Sequence, residues 1–311
     1  MRDISHKYST LRTARARAVL TLKPETLRKL REGRLPKGDP LPVARVAAIQ
    51  AAKNTSQIIP YCHPVPLDFV GISFSLGADR IEIEVTAKAV YKTGVEMEAL
   101  TAASVAALTL YDMLKIVDDS LAIQCVQLEE KTGGKTDFAN AIVSPPKAAV
   151  LVMSDSISSG LAHDKSGGLI TERLKAEGFD VVDYLVIPDD RGIIEQRLID
   201  YADKTHLDLV LTTGGTGFSP RDNTPEAMEN IIERDVPGIP EVARAFGQER
   251  MPYAMLARGR AGLRGKTLMV NLPGSQSGVR DYLDVLFPAL LHAVNMIRGE
   301  GHPPRAPQPN V

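Results

Sequence analysis

Ser144-Pro145-Pro146-Lys147-Ala148-Ala149-Val150-Leu151-Val152-Met153 decides the organisation of this chain. Consecutive prolines stiffen a connection and cannot continue a helix or a central strand. The apolar run behind them reads as a fresh strand, so a domain boundary falls here. Residues 1–143 form one domain, 144–147 a linker and 148–300 a second, and a length of 311 residues suits two domains better than one. The last segment, 301–311, is rich in proline and poor in apolar residues, and is expected to be a disordered tail.

Forward of the boundary the pattern alternates. Strand 148–153 precedes a helix near 169–177, strand 181–187, a helix near 193–203 and strand 207–212. A helix over 225–233, strand 267–271 and one long helix over 278–298 complete the series. Repeated strand–helix alternation implies an α/β three-layer domain with a mostly parallel sheet. Ligands bind such sheets beyond the carboxyl ends of the strands. Behind the boundary the order differs. Segments 41–53 and 98–117 have helical spacing, while Val70, Ile72, Phe74, Leu76 and then Ile81, Ile83, Val85, Ala87 recur at every second residue. Gly77-Ala78-Asp79 separates the two runs, which makes a hairpin with one buried face. A further strand covers 122–128. This half is α+β.

Composition narrows the function. A net charge of −1 argues against a general nucleic-acid or membrane-surface role, and no basic stripe or DNA-reading element is present. Hydrophobic content of 44% lets both halves build cores. Cys62 and Cys125 form no CxxC pair, and reduced thiols are expected. The first twenty residues lack the apolar run of a signal peptide, and no stretch reaches the roughly 20 consecutive apolar residues of a membrane span. The expectation is a soluble, cytoplasmic protein.

Polar residues of the first half fall into short clusters. Asp112 and Lys115 lie three apart on one helical face with Val105 and Leu108, which reads as an ion pair beside a core or as an exposed pair. Lys131 and Lys135 flank Gly133-Gly134, either an anion-binding loop or a plain turn. His63, between Cys62 and Pro64, is open to three readings: proton donor, metal ligand or packed imidazole. Glu96 and Glu98, around Met97, are acid/base candidates or acids that satisfy the positive end of a helix.

Taken together, the clusters resemble the MoaC family, the cyclic pyranopterin monophosphate synthases, over nearly all of residues 1–140. The resemblance is carried by Lys37-Gly38-Asp39, Ala51-Ala52-Lys53-Asn54-Thr55-Ser56, Ile59-Pro60-Tyr61-Cys62-His63-Pro64 and the run from Thr93 to Lys115 through Glu96-Met97-Glu98 and Asp112. It implies a ferredoxin-like fold, a homo-oligomer (trimer or hexamer) and no required cofactor. The implied reaction rearranges a cyclised dihydro-GTP, (8S)-3',8-cyclo-7,8-dihydroguanosine 5'-triphosphate, into cyclic pyranopterin monophosphate and expels pyrophosphate. Such chemistry needs cations for the triphosphate and acid/base groups for ring opening and closure. Lys115 and Asp112 are expected to transfer protons, assisted by Lys37 and Lys131. Lys53, Cys62, His63, Pro64, Glu96, Met97, Glu98 and Lys135 are expected to bind substrate.

In the second half, Leu211-Thr212-Thr213-Gly214-Gly215-Thr216-Gly217 directly follows a strand. Its glycines permit close backbone approach to an anion. Neither a GxxxxGK[ST] loop nor a GxGxxG helix start is present, which argues against a Walker-type or dinucleotide site. Other strand ends carry Ser154-Asp155, Pro188-Asp189 and Asn271-Leu272-Pro273-Gly274-Ser275, and the loop runs on through Ser219 and Asp222. Asp189 and Asp222 suit Mg2+, which takes one or two carboxylates plus phosphates. Asp222 or Thr224 also suits the start of a helix at Pro225.

Across about 148–298 this half resembles the MogA/MoaB molybdopterin adenylyltransferases, through 212–227, Ser154-Asp155, Ser166-Gly167 and 271–275. The implied site comprises Ser154, Asp155, Asp189, Thr213, Gly214, Gly215, Thr216, Gly217, Ser219, Asp222, Asn271, Pro273, Gly274 and Ser275. The implied reaction transfers AMP from ATP, as its Mg2+ complex, to molybdopterin. Phe218-Ser219-Pro220 and Ser275-Gln276-Ser277 look more MoaB-like, and some such proteins are not adenylyltransferases. A non-catalytic pterin-binding and oligomerisation scaffold is the alternative for this half, and a nucleotide-binding regulator the alternative for the whole chain.

Overall fold

β1 (Thr10–Thr21) is the strand around which the N-terminal unit is built, and the hydropathy pattern gave no sign of it. Its inward positions are Ala14, Ala16, Ala18 and Leu20, all fully buried, while Arg15 and Arg17 point outward to Glu82, Glu84, Glu129 and Glu130. The alternation holds from Ala14 to Ala18 and is broken by buried Val19, and its apolar face is mostly alanine, which carries little hydrophobic signal. After β1 come α1 (Pro24–Arg31), α2 (Pro40–Lys53) and the single turn α3 (Thr55–Ile58), then β2 (Phe69–Leu76), β3 (Arg80–Tyr91), α4 (Glu96–Leu114) and β4 (Ala122–Thr132). The four strands form one antiparallel sheet in the order β2-β3-β1-β4. The expected hairpin is β2–β3, closed by Gly77 N donating to Arg80 O at 2.9 Å.

This computed structural model describes residues 1–138, 144–161, 163–287 and 289–299. Within them the chain makes two compact units, one over Met1–Phe138 and one inside Ala139–Pro304. The expected tail, 301–311, lies outside the described residues, as does most of the approach to the linker. In the first unit α2 and α4 share the core with the sheet. Alanines line both sides of the seam, including Ala87 and Ala89 of β3, Ala44 and Ala48 of α2, and Ala99, Ala102, Ala103, Ala106 and Ala107 of α4. By length and composition alone α4 could cross a membrane. Here it is the core helix of its unit, buried from Glu98 to Leu114 along one face.

The second unit opens with β5 (Lys147–Met153), the short α5 (Asp155–Ser158), α6 (Ser166–Ala176), β6 (Asp180–Ile187), α7 (Arg191–Ile199) and β7 (Leu209–Thr213). It continues through α8 (Thr224–Ile231), β8 (Arg234–Asp235), α9 (Gly238–Gln248), β9 (Ala261–Arg264), β10 (Thr267–Leu272), α10 (Gln276–Leu286) and α11 (Ala289–Arg298). The sheet order is β6-β5-β7-β10-β9-β8, parallel through β10 and antiparallel at β9 and β8. Alternate residues of β5 feed two cores: Ala148, Val150 and Val152 on one face, Ala149, Leu151 and Met153 on the other. Helices therefore cover both faces, as the alternation predicts.

Two corrections follow. The single helix expected over 278–298 is two helices, because Phe287 turns extended (φ −88°, ψ 133°) immediately before Pro288. A residue preceding proline is driven out of the helical region, and proline has no amide to donate. The sheet also gains β8 and β9, with α9 between them, from a stretch that carries no strand–helix alternation.

The chain leaves β5 toward β6 on one side and returns to β7 on the other. The carboxyl ends of β5 and β7 therefore flank the switch point, where a parallel sheet opens a crevice.

Candidate functional sites

The last turn of α4 carries the first site. Asp112 accepts from Lys115 Nζ at 2.7 Å and from Lys37 Nζ at 3.2 Å, and Lys37 Nζ also donates to the Asp112 carbonyl at 3.0 Å. Lys37 reaches there because Gly38 takes positive φ and Asp39 caps α2, accepting from Leu41 N at 3.0 Å. Hydrogen bonds from Lys115 and then Lys37 hold the Asp112 carboxyl below its ordinary value, and Asp112 holds Lys115 above its own. The site is thus two ammonium groups on one carboxylate. It is open: Leu108, expected beside a core, is 57% exposed in the single chain, so the exposed-pair reading applies here.

The first turn of α4 carries a second group. Glu98 is buried, and burial together with neighbouring Glu96 pushes its carboxyl up. Cys62 lies close; burial, then Glu98 and Glu96, raises its thiol. Arg12, which no motif singled out, faces this group: its Nε donates to Tyr91 O at 3.3 Å, burial lowers its pKa, and Tyr8, Glu96 and Asp137 oppose that. Gly133 lies over the start of β1, at φ +92° and with a Cβ position 1.9 Å from Leu11 O, so only glycine fits. Its amide donates to Asp137 and its carbonyl accepts from Thr10 Oγ1 at 2.7 Å, which fixes the loop after Lys131.

The remaining expected residues are scattered around these two groups. His63 Nε2 lies 2.8 Å from Arg2 O, Met97 is half-buried, and Pro64, Lys53 and Lys131 are exposed. The Lys135 side chain lies outside the described residues. Cys62 and Cys125 are free thiols. Glu98 and Asp112 stand 14 positions apart on one continuous helix. At about 1.5 Å per residue the two groups are about 21 Å apart. The two groups therefore occupy separate places on one chain rather than a single cavity.

In the second unit the expected acids converge. Asp155 Oδ1 accepts from Asp189 N at 3.1 Å, and Asp155 Oδ2 pairs with Arg221 at 2.5 Å. Asp189 Oδ1 is buried with no hydrogen-bond partner, and burial, then Asp155 and Asp222, raises its carboxyl. Gly215, at φ +60°, makes room: a Cβ there would stand 2.9 Å from Asp189 Oδ1 and 2.3 Å from Thr224 Oγ1. A Cβ at Gly217 would meet Asp222 Oδ2 at 2.9 Å, so both carboxylates abut the glycine loop. Ser219 N donates to Asp222 Oδ2 at 2.9 Å. Thr224 opens α8 and Asn223 makes no side-chain cap, so Asp222 does not cap that helix.

Beside the acids, at the ends of β5 and β7, lies a cleft of about 400 Å3 lined by Ser154, Asp164, Ser166, Thr213, Gly214 and Gly274. Thr213 Oγ1 donates to Pro273 O at 2.6 Å and Ser166 Oγ to Gly274 O at 2.9 Å, which ties the 273–275 turn to the cleft. Ser154 and Ser275 cap α5 and α10. Thr216 is buried.

Asn271 corrects the expectation. It is fully buried, donating to Thr212 Oγ1 at 2.7 Å and accepting from Arg260 N at 3.1 Å, so it braces the site from behind instead of facing a ligand. Two residues were missed. Asp164 accepts the amides of Ser166 at 2.9 Å and Gly167 at 3.0 Å and the Tyr184 hydroxyl; burial, then Asp164, raises Tyr184. An Asp two residues before Ser166-Gly167 at a helix start was a usable signal. Arg258 is the other, and nothing local marked it. Among the described residues no group of three or more His, Cys, Asp or Glu side chains is arranged to hold a metal unaided.

Residues 1–134 match the MoaC family and residues 149–292 the family described as "Probable molybdopterin binding domain". A molybdenum cofactor biosynthesis bifunctional protein of Chlorobaculum tepidum is 42% identical over 97% of this chain and 96% of its own length. A cyclic pyranopterin monophosphate synthase of Thermomicrobium roseum is 52% identical over 138 residues, 44% of this chain and 83% of its own. Among solved structures, the molybdopterin biosynthesis enzyme MoaB of Thermus thermophilus is 40% identical, with a TM-score of 0.48 over 52% of this chain and 99% of that one.

Proposed function

The chain belongs to the family of bifunctional proteins of molybdenum cofactor biosynthesis, and from that premise we propose that its N-terminal unit is a cyclic pyranopterin monophosphate synthase. We take 1–143 as that domain, 144–147 as the linker and 148–300 as the second domain. The β–α–β–β–α–β order with strands in the sequence 2-3-1-4 is read as ferredoxin-like. The protein is expected in the cytoplasm.

The observation that carries this reading is the Lys37–Asp112–Lys115 cluster, assembled across 75 residues of sequence. The two lysines supply positive charge to the triphosphate oxygens, and Lys115 is the group placed to donate a proton as the purine-derived ring opens. Asp112 orients both lysines, and Lys115, neutral after its donation, takes a proton back on ring closure. His63, Glu96, Glu98 and Arg12 belong to the other half-site and hold the substrate. The two halves of one chain are too far apart to serve one substrate molecule. We therefore place a complete site between copies of the chain in a trimer or hexamer. No cofactor is needed for this step. Lys115→Ala, shown to be folded by circular dichroism, is expected to lose at least about a hundredfold in pyrophosphate release from the cyclised substrate. Near-normal turnover would remove the assignment.

For the C-terminal unit we propose adenylylation of molybdopterin, with ATP as cosubstrate. The residues fit Mg2+: two oxygen donors, Asp189 and Asp222, abut the glycine loop, and Asp189 Oδ1 is a buried acceptor with no partner. Mg2+ takes few protein ligands and completes its shell with water and phosphate oxygens, so an incomplete donor set suits it. Bound there it would neutralise charge on the phosphates of ATP. The chain itself supplies the cleft beside Thr213 and Gly214 and the loop amides that approach an anion. ATP, molybdopterin and Mg2+ should yield the AMP–pterin product with release of pyrophosphate, and Asp222→Asn should abolish it. Pterin binding without product would instead support the scaffold reading.

A further inference from the structure

The glycine loop after β7 is tied at its ends by Thr224, whose amide donates to Gly215 O and whose hydroxyl donates to Gly214 O, both at 3.1 Å. Its outer turn is held mainly by itself, with Asp222 N donating to Ser219 O at 2.9 Å. From outside the segment comes Arg258. Its main-chain amide donates to Thr216 O at 3.0 Å, its Nε to Gly217 O at 2.8 Å and its Nη2 to Asp222 O at 2.8 Å, while Nη1 pairs with Glu226. Among the described residues, these are the only hydrogen bonds that reach the backbone of Gly217 and Asp222 from beyond 214–226. The clamp has a rigid base. Arg260, two residues on, exchanges hydrogen bonds with Asn271 of β10: Arg260 N to Asn271 Oδ1 at 3.1 Å and Asn271 N to Arg260 O at 2.8 Å.

We propose that Arg258 is the positioning residue of the acidic site: it transmits the register of β10 to the 217–222 turn and so fixes where the Asp222 carboxylate stands relative to Asp189. The planar guanidinium spans two carbonyls and a carboxylate at once, and a lysine ammonium cannot reproduce that fork. The inference rests on the reading above in which Asp189 and Asp222 hold a divalent cation.

The test uses the full chain and Mn2+ alone as a spectroscopic stand-in for Mg2+, with bound ion defined as the part lost in Asp222→Asn. Hydrogen exchange is followed in 216–223 and, as an internal reference, in 267–272. Arg258→Met is expected to speed exchange in 216–223, leave 267–272 at the wild-type rate and weaken Mn2+ binding about tenfold, the equivalent of about 1.4 kcal/mol. Arg258→Lys should fail to restore either property. Wild-type exchange of the turn in Arg258→Met, or acceleration of both segments together, overturns the proposal. So does rescue by Arg258→Lys, since charge alone would then suffice. Unchanged Mn2+ binding in Asp222→Asn would remove the cation reading instead, and the exchange data would still decide whether Arg258 sets the turn.

Discussion

The Asp118 carboxylate receives the Lys23 amide at 2.8 Å, the Thr26 hydroxyl at 2.7 Å, and the Ser120 amide and hydroxyl at 2.9 and 2.7 Å. Burial by itself would raise this carboxyl, but the hydrogen bonds outweigh burial and bring it down to about 2. Because the folded value is depressed, the stabilisation is present above the ordinary carboxylate range and is lost as pH falls through the folded value. Linkage over that interval is worth about 2 kcal/mol. The urea midpoint of the N-terminal unit, read from methyl NMR signals of Leu20 and Ile83 in the full chain, should therefore fall between pH 6 and about pH 2.5. Asp118→Asn should lower it at pH 6 and flatten that slope, whereas a parallel slope in the variant would show that Asp118 is not responsible. At the same scale, sequence legibility had a clear limit. Asp112 and Lys115 could be paired by spacing, but Lys37 joins them from 75 residues away, where spacing is silent. Arg12 and Arg258 escaped because their partners are set by tertiary folding, whereas the amide partners of Asp164 are two and three residues away and could have been read.

Among elements, the hairpin and the parallel strands were readable because their apolar residues are large and regularly spaced, and α2 and α4 because small apolar residues recur at helical spacing. β1 was not, since its buried face is Ala14, Ala16 and Ala18. Those alanines are the reason α4 can lie close to the sheet, and the seam leaves no room for larger groups. Ala106→Leu, at a fully buried position of α4, is accordingly expected to cost about 1–3 kcal/mol by overpacking. The same NMR-detected urea titration measures it, and an unchanged midpoint would mean the seam has slack. The split of the last helix into α10 and α11 was legible in Pro288, and the periodic apolar residues on either side overrode that signal.

For the whole molecule, the decisive quantity is the length of α4. It carries Glu96 and Glu98 in its first turn and Asp112 in its last, so one chain holds these two groups about 21 Å apart. On the reading proposed above, a complete site forms only when the Lys37–Asp112–Lys115 end of one copy meets the His63–Glu96–Glu98 end of another. Coexpressing Lys115→Ala with His63→Ala under two tags, and purifying assemblies that carry both, measures this directly. Each variant alone should be inactive. Mixed assemblies should recover on the order of a quarter of wild-type pyrophosphate release, because random pairing restores about that share of sites. Doubly tagged assemblies no more active than either variant alone would contradict the account.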